Sequence, residues 1–232
     1  MVADNYTEVL SIVNETTKNC KRALNEVALI AVSKTKPVTL LQEVYNAGAR
    51  DFGENKVQEI MAKYDKLPND IRWHMIGHLQ TNKVKYIADK VYMIHSVDTE
   101  KLAAVISKEA LKVGRVIPIL VEVNVAGEDS KYGIKPNDCE SFIRTIHSLP
   151  GIAIKGLMTI APFVENGEEN REYFRALKQL SVDIMQKNID NVSMDFLSMG
   201  MSGDYETAIE EGANLVRVGT KIFGERDYSV SI

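Results

Sequence analysis

The sequence alternates short apolar segments with longer segments that carry apolar residues at helical spacing, and this alternation limits the folds open to the chain. Strand followed by helix, repeated, predicts a parallel β-sheet, because parallel neighbours need a crossover between them. The apolar segments are residues 28–33, 50–53, 72–76, 91–95, 116–125, 152–160, 194–199 and 215–218. Eight strand–helix units close a (β/α)8 barrel of the TIM type. We therefore expect an α/β barrel, with an open doubly wound sheet as the alternative.

Segments with helical patterning separate most of these strands. They are clearest at 39–47, 56–66, 99–112, 170–187 and 205–211. A further segment, residues 1–25, precedes the first strand and holds apolar residues at mostly helical spacing, namely Tyr6, Val9, Leu10, Val13, Cys20 and Leu24. We expect an N-terminal helix that packs on the barrel. Because such barrels commonly need about 250 residues, we expect residues 1–232 to form a single domain.

Composition argues against several classes of function. A formal net charge of -4 disfavours a nucleic-acid surface, which normally shows a basic excess. Cys20 and Cys139 are too few and too far apart to indicate a disulfide framework or a metal site, which fits a reducing cytosol. No apolar run approaches the ~18 residues of a spanning helix, and the N-terminus lacks a signal-peptide pattern. We expect a cytoplasmic protein that binds neither nucleic acid nor membrane.

Lys34 directly follows the first apolar segment. Strand alternation places it on the same face as Ile30 and Val32, so it points inward at the mouth of a barrel. An amine held there loses hydration, which lowers its pKa and makes it a better nucleophile toward a carbonyl. A solvated lysine at the strand end is the alternative. Lys36 lies two residues further along and would face the same side as Lys34. It precedes Pro37, where the chain leaves the strand, so we expect it to add only positive potential at the rim of the barrel mouth.

Two glycine-containing segments near the end of the chain predict a phosphate site. Residues 198–204, Ser-Met-Gly-Met-Ser-Gly-Asp, lie between strand seven and a helix, and Ser202 offers a hydroxyl donor. Residues 217–220, Arg-Val-Gly-Thr, follow strand eight. Barrels often bind phosphate with the loops after strands seven and eight, so the two segments support each other. The alternatives are a helix cap at Ser202 or Asp204 and an acidic partner for Arg217.

Other residues carry less information. Asn55 either donates to a ligand oxygen or caps the helix that follows it. His74 and His78 are four residues apart, but no carboxylate or cysteine completes a metal set around them. The sequence contains neither a Gly-x-Ser-x-Gly elbow nor a Walker loop, which removes support for hydrolase and nucleotidase functions.

Taken together, these segments resemble the pyridoxal phosphate homeostasis protein family. The matching segments are 31–37, 52–55, 76–83, 156–158, 198–202 and 216–220. The resemblance implies that pyridoxal 5′-phosphate (PLP) is the cofactor and that Lys34 forms a Schiff base, the internal aldimine, with it. It also implies a barrel like the N-terminal domain of alanine racemase. The other cofactor-binding residues implied are Ser202, Gly219 and Thr220 at the phosphate, Arg217 at the pyridine nitrogen, and Asn55 and Met199 in the pocket.

The function implied by the resemblance is PLP homeostasis, with effects on amino-acid and vitamin B6 metabolism. An arginine beside the pyridine nitrogen disfavours its protonation, so the ring is a poor electron sink. A racemase needs a second proton-transferring group opposite Lys34. A tyrosine such as Tyr132 could supply that group, but nothing in the sequence places Tyr132 opposite Lys34. The sequence ends at Ile232, and we expect none of the C-terminal β-domain that organises racemase dimers.

We therefore expect a non-catalytic PLP carrier or buffer without catalytic residues or a metal. The resemblance implies a monomer, and apo PLP-dependent enzymes are the expected recipients of the cofactor. A PLP-dependent amino-acid racemase is the alternative function.

Overall fold

A closed barrel of eight parallel strands forms the centre of the computed structural model, which describes residues 1–128 and 131–225. The strands are β1 (Ala28–Val32), β2 (Asp51–Glu54), β3 (Arg72–Met75), β4 (Met93–Val97), β5 (Ile117–Glu122), β6 (Ile152–Met158), β7 (Val192–Ser198) and β8 (Leu215–Val218). Each strand pairs in parallel with the next along the chain, and β8 closes the barrel on β1. The predicted α/β barrel is confirmed, and the open sheet is excluded.

Helices surround the barrel. They are α1 (Val2–Asn19), α2 (Val38–Asn46), α3 (Val57–Tyr64), α4 (Glu100–Lys112), α5 (Cys139–Ile146), α6 (Arg171–Met185), α7 (Tyr205–Glu210) and α8 (Thr220–Phe223). The sequence pattern located five of them, α2, α3, α4, α6 and α7, to within two residues at each end. Between β3 and β4 the chain forms a 3₁₀ helix, Thr81–Tyr86. Among the described residues, no helix has the length and apolar character needed to cross a membrane.

The N-terminal helix α1 packs on the outside of the barrel against α2, α7 and α8. Its buried face includes Tyr6, Val9 and Val13, as predicted from their spacing. The helix ends at Asn19, earlier than the predicted boundary at residue 25, because Lys21 adopts a left-handed backbone with φ of 57°. Leu24 therefore leaves the apolar face and is 55% exposed.

Strand side chains alternate between an outer core beneath the helices and the lumen of the barrel. Ile30, Met93, Leu120, Met158 and Leu215 form a small apolar cluster that is separate from the outer core. The position of Ile30 in this cluster supports the prediction that its side chain points into the barrel. The lumen also holds buried polar side chains, because His95 on β4 bonds Ser198 on β7, and these two strands are not neighbours.

Candidate functional site

A cavity of about 370 Å³ opens at the carboxyl-terminal end of the strands. Loops that are distant in sequence contribute to its wall, because the carboxyl ends of all eight parallel strands meet at one face. Six of the seven residues predicted to bind cofactor line this cavity, namely Lys34, Asn55, Ser202, Arg217, Gly219 and Thr220. A larger depression of about 440 Å³ lies against α3, but its lining is mostly apolar and includes none of the predicted residues.

The seventh predicted residue, Met199, lies elsewhere. Its side chain is fully buried in the outer core and does not line the cavity. Because side chains alternate along a strand, the inward position of Ser198 directs the next residue toward the helices. Met201, two residues further along, lines the cavity instead.

A buried ionic cluster, formed by Glu54, Glu59 and Lys63, holds the turn that carries Lys34. The Lys63 ammonium contacts Glu59 Oε2 at 3.0 Å and donates to the backbone carbonyl of Ser33 at 2.9 Å. Glu59 Oε2 also accepts from the backbone N–H of Thr35 at 2.6 Å. Both neighbours of Lys34 are therefore attached to the cluster. Thr35 adopts a left-handed φ of 63°, which is uncommon for a residue other than glycine.

Glu54 is the innermost member of the cluster. Its Oε1 accepts from Lys63 Nζ at 2.7 Å and from Ser33 Oγ at 2.6 Å. Its Oε2 is buried without a hydrogen-bond partner among the described residues. Burial raises the pKa of Glu54 to about 7, and the nearby charge of Lys63 opposes that rise. This cluster was not predicted from the sequence, although the i,i+4 spacing of Glu59 and Lys63 on α3 is typical of an ion pair.

Lys36 makes two contacts that its position in the sequence did not indicate. Its ammonium donates to the backbone carbonyls of Phe223 at 2.9 Å and Glu225 at 2.7 Å. It therefore binds the carbonyl end of the short helix α8 and does not line the cavity. The first residue of that helix, Thr220, does line the cavity, so Lys36 contributes indirectly by fixing α8.

The two predicted phosphate segments lie side by side. Ser202 Oγ accepts from the backbone N–H of Gly219 at 3.3 Å. Asp204 stabilises the first segment, because its carboxylate accepts from the backbone N–H of Met201 at 2.6 Å and from Asn170 Nδ2 at 2.7 Å. No side-chain cap forms at the start of α7 or of α3. The capping alternatives for Ser202, Asp204 and Asn55 are therefore not observed.

Arg217 extends from β8 into the lumen and reaches the cavity from below. Its guanidinium donates from Nη1 to Ser198 Oγ at 2.6 Å and from Nη2 to the carbonyl of Thr159 at 2.7 Å. Both acceptors are neutral, and no carboxylate among the described residues forms an ion pair with the guanidinium. Burial lowers the pKa of Arg217 to about 10, and Asp204 and Glu122 nearby oppose that change. Arg217 therefore remains cationic at neutral pH.

Ser198 connects Arg217 to a deeper group of polar residues. Ser198 Oγ lies 2.9 Å from His95 Nδ1, and His95 Nε2 lies 2.9 Å from His74 Nδ1. His74 Nε2 contacts Asp51 Oδ1, also at 2.9 Å. Sequence reasoning considered His74 only as a metal ligand and did not single out His95. In the described part of the chain, no group of three or more His, Cys, Asp or Glu residues is arranged to hold a metal.

The buried position of His95 predicts a pH-dependent stability. Burial lowers the pKa of His95 well below its usual 6.5, and the positive charge of Arg217 nearby acts in the same direction. The folded state thus keeps the ring neutral, whereas the unfolded chain binds a proton below its ordinary pKa. Stability contributed by the neutral ring should be lost as pH falls below about 6.5, by up to ~1.4 kcal/mol per pH unit. Urea unfolding between pH 7 and 5 should give a flatter dependence for His95→Gln than for wild type, and parallel dependences would contradict this expectation.

Comparison with known proteins adds a second kind of observation. Residues 10–227 match the family model of the alanine racemase N-terminal domain. A pyridoxal phosphate homeostasis protein from Aquifex aeolicus is 44% identical over 226 residues, covering 97% of this chain and 98% of that protein. The protein of the same name from Pseudomonas aeruginosa is 39% identical and covers 98% of this chain and 96% of its own length.

Solved structures agree with these matches. The PLP-bound structure of PipY from Synechococcus elongatus is similar, with a TM-score of 0.84, 33% identity, and coverage of 97% of this chain and 100% of that chain. The alanine racemase of Corynebacterium glutamicum has a TM-score of 0.75 at 13% identity, covering 97% of this chain and 62% of the racemase. That second similarity shows a shared fold.

Proposed function

Because the chain belongs to the pyridoxal phosphate homeostasis protein family, within the family of alanine racemase N-terminal domains, we propose that it binds PLP at the mouth of its barrel. One observation carries this proposal: an amine, a set of anion donors and a buried guanidinium, taken from opposite ends of the chain, line one cavity. PLP combines a reactive aldehyde, an aromatic ring and a phosphate. The cavity therefore offers one protein group suited to each part of this cofactor.

The residues present fit PLP in chemistry and size. Ser202 and Thr220 offer hydroxyl donors for a phosphate. The Gly219 N–H donates to Ser202 Oγ, which leaves the hydrogen of that hydroxyl for the phosphate, and Gly203 beside them has open space above its Cα. A volume of about 370 Å³ falls in the range usual for small-molecule sites. Lys34 places a primary amine on the wall of the cavity. We assign it the reversible covalent attachment of the aldehyde as a Schiff base.

Arg217 argues against reactions, such as transamination, that need a strong electron sink in the cofactor ring. When bound, PLP supplies an electron sink whose strength depends on protonation of the pyridine nitrogen. A cationic guanidinium near that nitrogen disfavours the protonated ring. The acceptors of Arg217 are a hydroxyl and a carbonyl, so its charge is not neutralised by a contacting carboxylate. This arrangement supports storage of the cofactor with its reactivity suppressed.

The proposed cellular role is PLP homeostasis. A reversible covalent bond limits the free concentration of a reactive aldehyde and still allows its release to apo PLP-dependent enzymes. Such a role would affect amino-acid and vitamin B6 metabolism without a reaction of its own. The names of the relatives support homeostasis in preference to catalysis. We propose that the chain acts in the cytoplasm as a monomeric barrel over residues 1–232.

The phosphate site can be tested by comparing PLP with pyridoxal, which lacks the phosphate. Hydrogen bonds to a charged group contribute ~1.5–3 kcal/mol each, so we expect PLP to bind at least about 100-fold more tightly. Ser202→Ala should reduce this preference by about tenfold, whereas Ser11→Ala, on the exposed side of α1, should not change it. Equal affinities for PLP and pyridoxal, measured by absorbance titration, would contradict the proposed site.

A further inference from the structure

A continuous chain of buried hydrogen bonds runs down the lumen of the barrel from the cavity to its opposite end. It begins at Arg217 Nη1, passes through Ser198 Oγ at 2.6 Å, and continues through His95 and His74 to Asp51 with three contacts of 2.9 Å. Its members come from β8, β7, β4, β3 and β2. Every one of them is buried. We call these five residues the lumen chain.

One assignment of hydrogens satisfies every bond of the lumen chain. A guanidinium can only donate, so Ser198 Oγ accepts from Arg217, and its own hydrogen can point to His95 Nδ1. With that assignment His95 donates from Nε2 to His74 Nδ1. His74 in turn donates from Nε2 to Asp51, whose carboxylate is an acceptor only.

The charged state of Asp51 supports this direction. Although burial raises the pKa of Asp51, hydrogen bonds from Arg72 and His74 lower it to about 2, so it is a carboxylate at neutral pH. Arg72 Nε donates to Asp51 Oδ1 at 2.7 Å, at the end of the barrel opposite the cavity. The chain thus joins a fixed acceptor at one end of the lumen to a fixed donor at the other.

We propose that Ser198, His95 and His74 are positioning residues that hold the Arg217 guanidinium in one orientation beneath the bound cofactor. This inference rests on the proposed PLP site, whose ring the guanidinium would face. An arginine side chain has many rotamers, so one that is already fixed loses less conformational entropy when a ligand binds. Ser198 supplies a neutral acceptor where a carboxylate would cancel the charge. The lumen chain therefore pre-organises the site and preserves its positive potential.

The orientation of Arg217 can be tested before any ligand is added. In the apo protein, the guanidinium N–H signals of Arg217, identified by Arg217→Lys, should be resolved and exchange slowly with solvent by NMR. Ser198→Ala and His95→Gln should each speed that exchange by at least about tenfold, because each removes a bond of the chain. Ser107→Ala is the matched control, since it removes another buried serine hydroxyl, which accepts from Gly151 N–H outside the lumen.

A double-mutant cycle on PLP affinity tests whether the chain acts as a unit. Ser198→Ala should weaken PLP binding by about tenfold and shift the absorbance maximum of the bound cofactor, whereas Ser107→Ala should do neither. Because His95 acts on Arg217 through Ser198, adding His95→Gln to Ser198→Ala should cause no further loss of affinity. Thermal unfolding of each variant separates lost binding from lost folding.

Two results would overturn this inference: unchanged exchange of the Arg217 signals in Ser198→Ala and His95→Gln, or losses of affinity that multiply in the double variant. Failure of the proposed function has a different signature. In that case wild type would not bind PLP, while the Arg217 signals would still respond to both variants as expected. That combination would retain the positioning function and reject the cofactor.

Discussion

Lys63→Met is expected to lower the free energy of unfolding by about 3–5 kcal/mol, which is a large part of the stability of an ordinary domain. The Lys63 ammonium is buried and bonds Glu54, Glu59 and the carbonyl of Ser33. Methionine has similar length and no charge, so it would leave two carboxylates buried beside each other without a cation. Urea unfolding at neutral pH measures the loss directly.

Lys66→Met is the control for this experiment. Lys66 lies just beyond the end of α3 and is exposed, so its replacement should change stability by less than about 0.5 kcal/mol. Because the cluster holds both neighbours of Lys34, Lys63→Met should also weaken PLP binding when the variant is folded. A loss of stability below about 1 kcal/mol would show that the cluster is not the support that its contacts indicate.

Lys34→Ala should abolish the covalent attachment of PLP and its absorbance band, and it should weaken PLP binding by about 100-fold, equivalent to ~2.8 kcal/mol. The remaining affinity would come from the phosphate donors and Arg217. Lys36→Ala is the matched control, because Lys36 lies two residues away but bonds the carbonyls of Phe223 and Glu225 outside the cavity. It should keep the absorbance band and lose only modest stability. Equal loss of the band in both variants would argue against a specific role for Lys34.

The barrel could be predicted from the sequence because its signals are local. Strands and helices can be recognised from the spacing of apolar residues within a short segment, and the parallel topology then brings all strand ends to one face. Lys34 and the two predicted phosphate segments follow β1, β7 and β8, so the sequence alone could place them at that face. The chain also carried the signal for α5, since its buried residues Cys139, Phe142, Ile143 and Ile146 have helical spacing. That segment was not among the predicted helices.

The support beneath the site could not be predicted in the same way. The lumen chain joins β2, β3, β4, β7 and β8, and which of their side chains meet depends on strand stagger and on the width of the closed barrel. No local pattern reports that geometry. Met199 shows a second difficulty. Neighbouring side chains along a strand point to opposite sides, so an error of one position places a residue in the lumen when it belongs in the outer core. Thus the residues that line the cavity were easier to identify than those that hold them in place.

The lysine that PLP modifies is the sharpest test of binding at the mouth of the barrel. PLP is added to the wild-type chain and reduced with borohydride, and the chain is digested with trypsin, which cleaves after lysine and arginine but not before proline. Reduction onto Lys34 blocks cleavage there, so we expect a labelled peptide spanning residues 23–50. Label on Lys36 would instead appear in the peptide 35–50. Label on Lys36, label at any other lysine, or no label at all would refute attachment of PLP to Lys34.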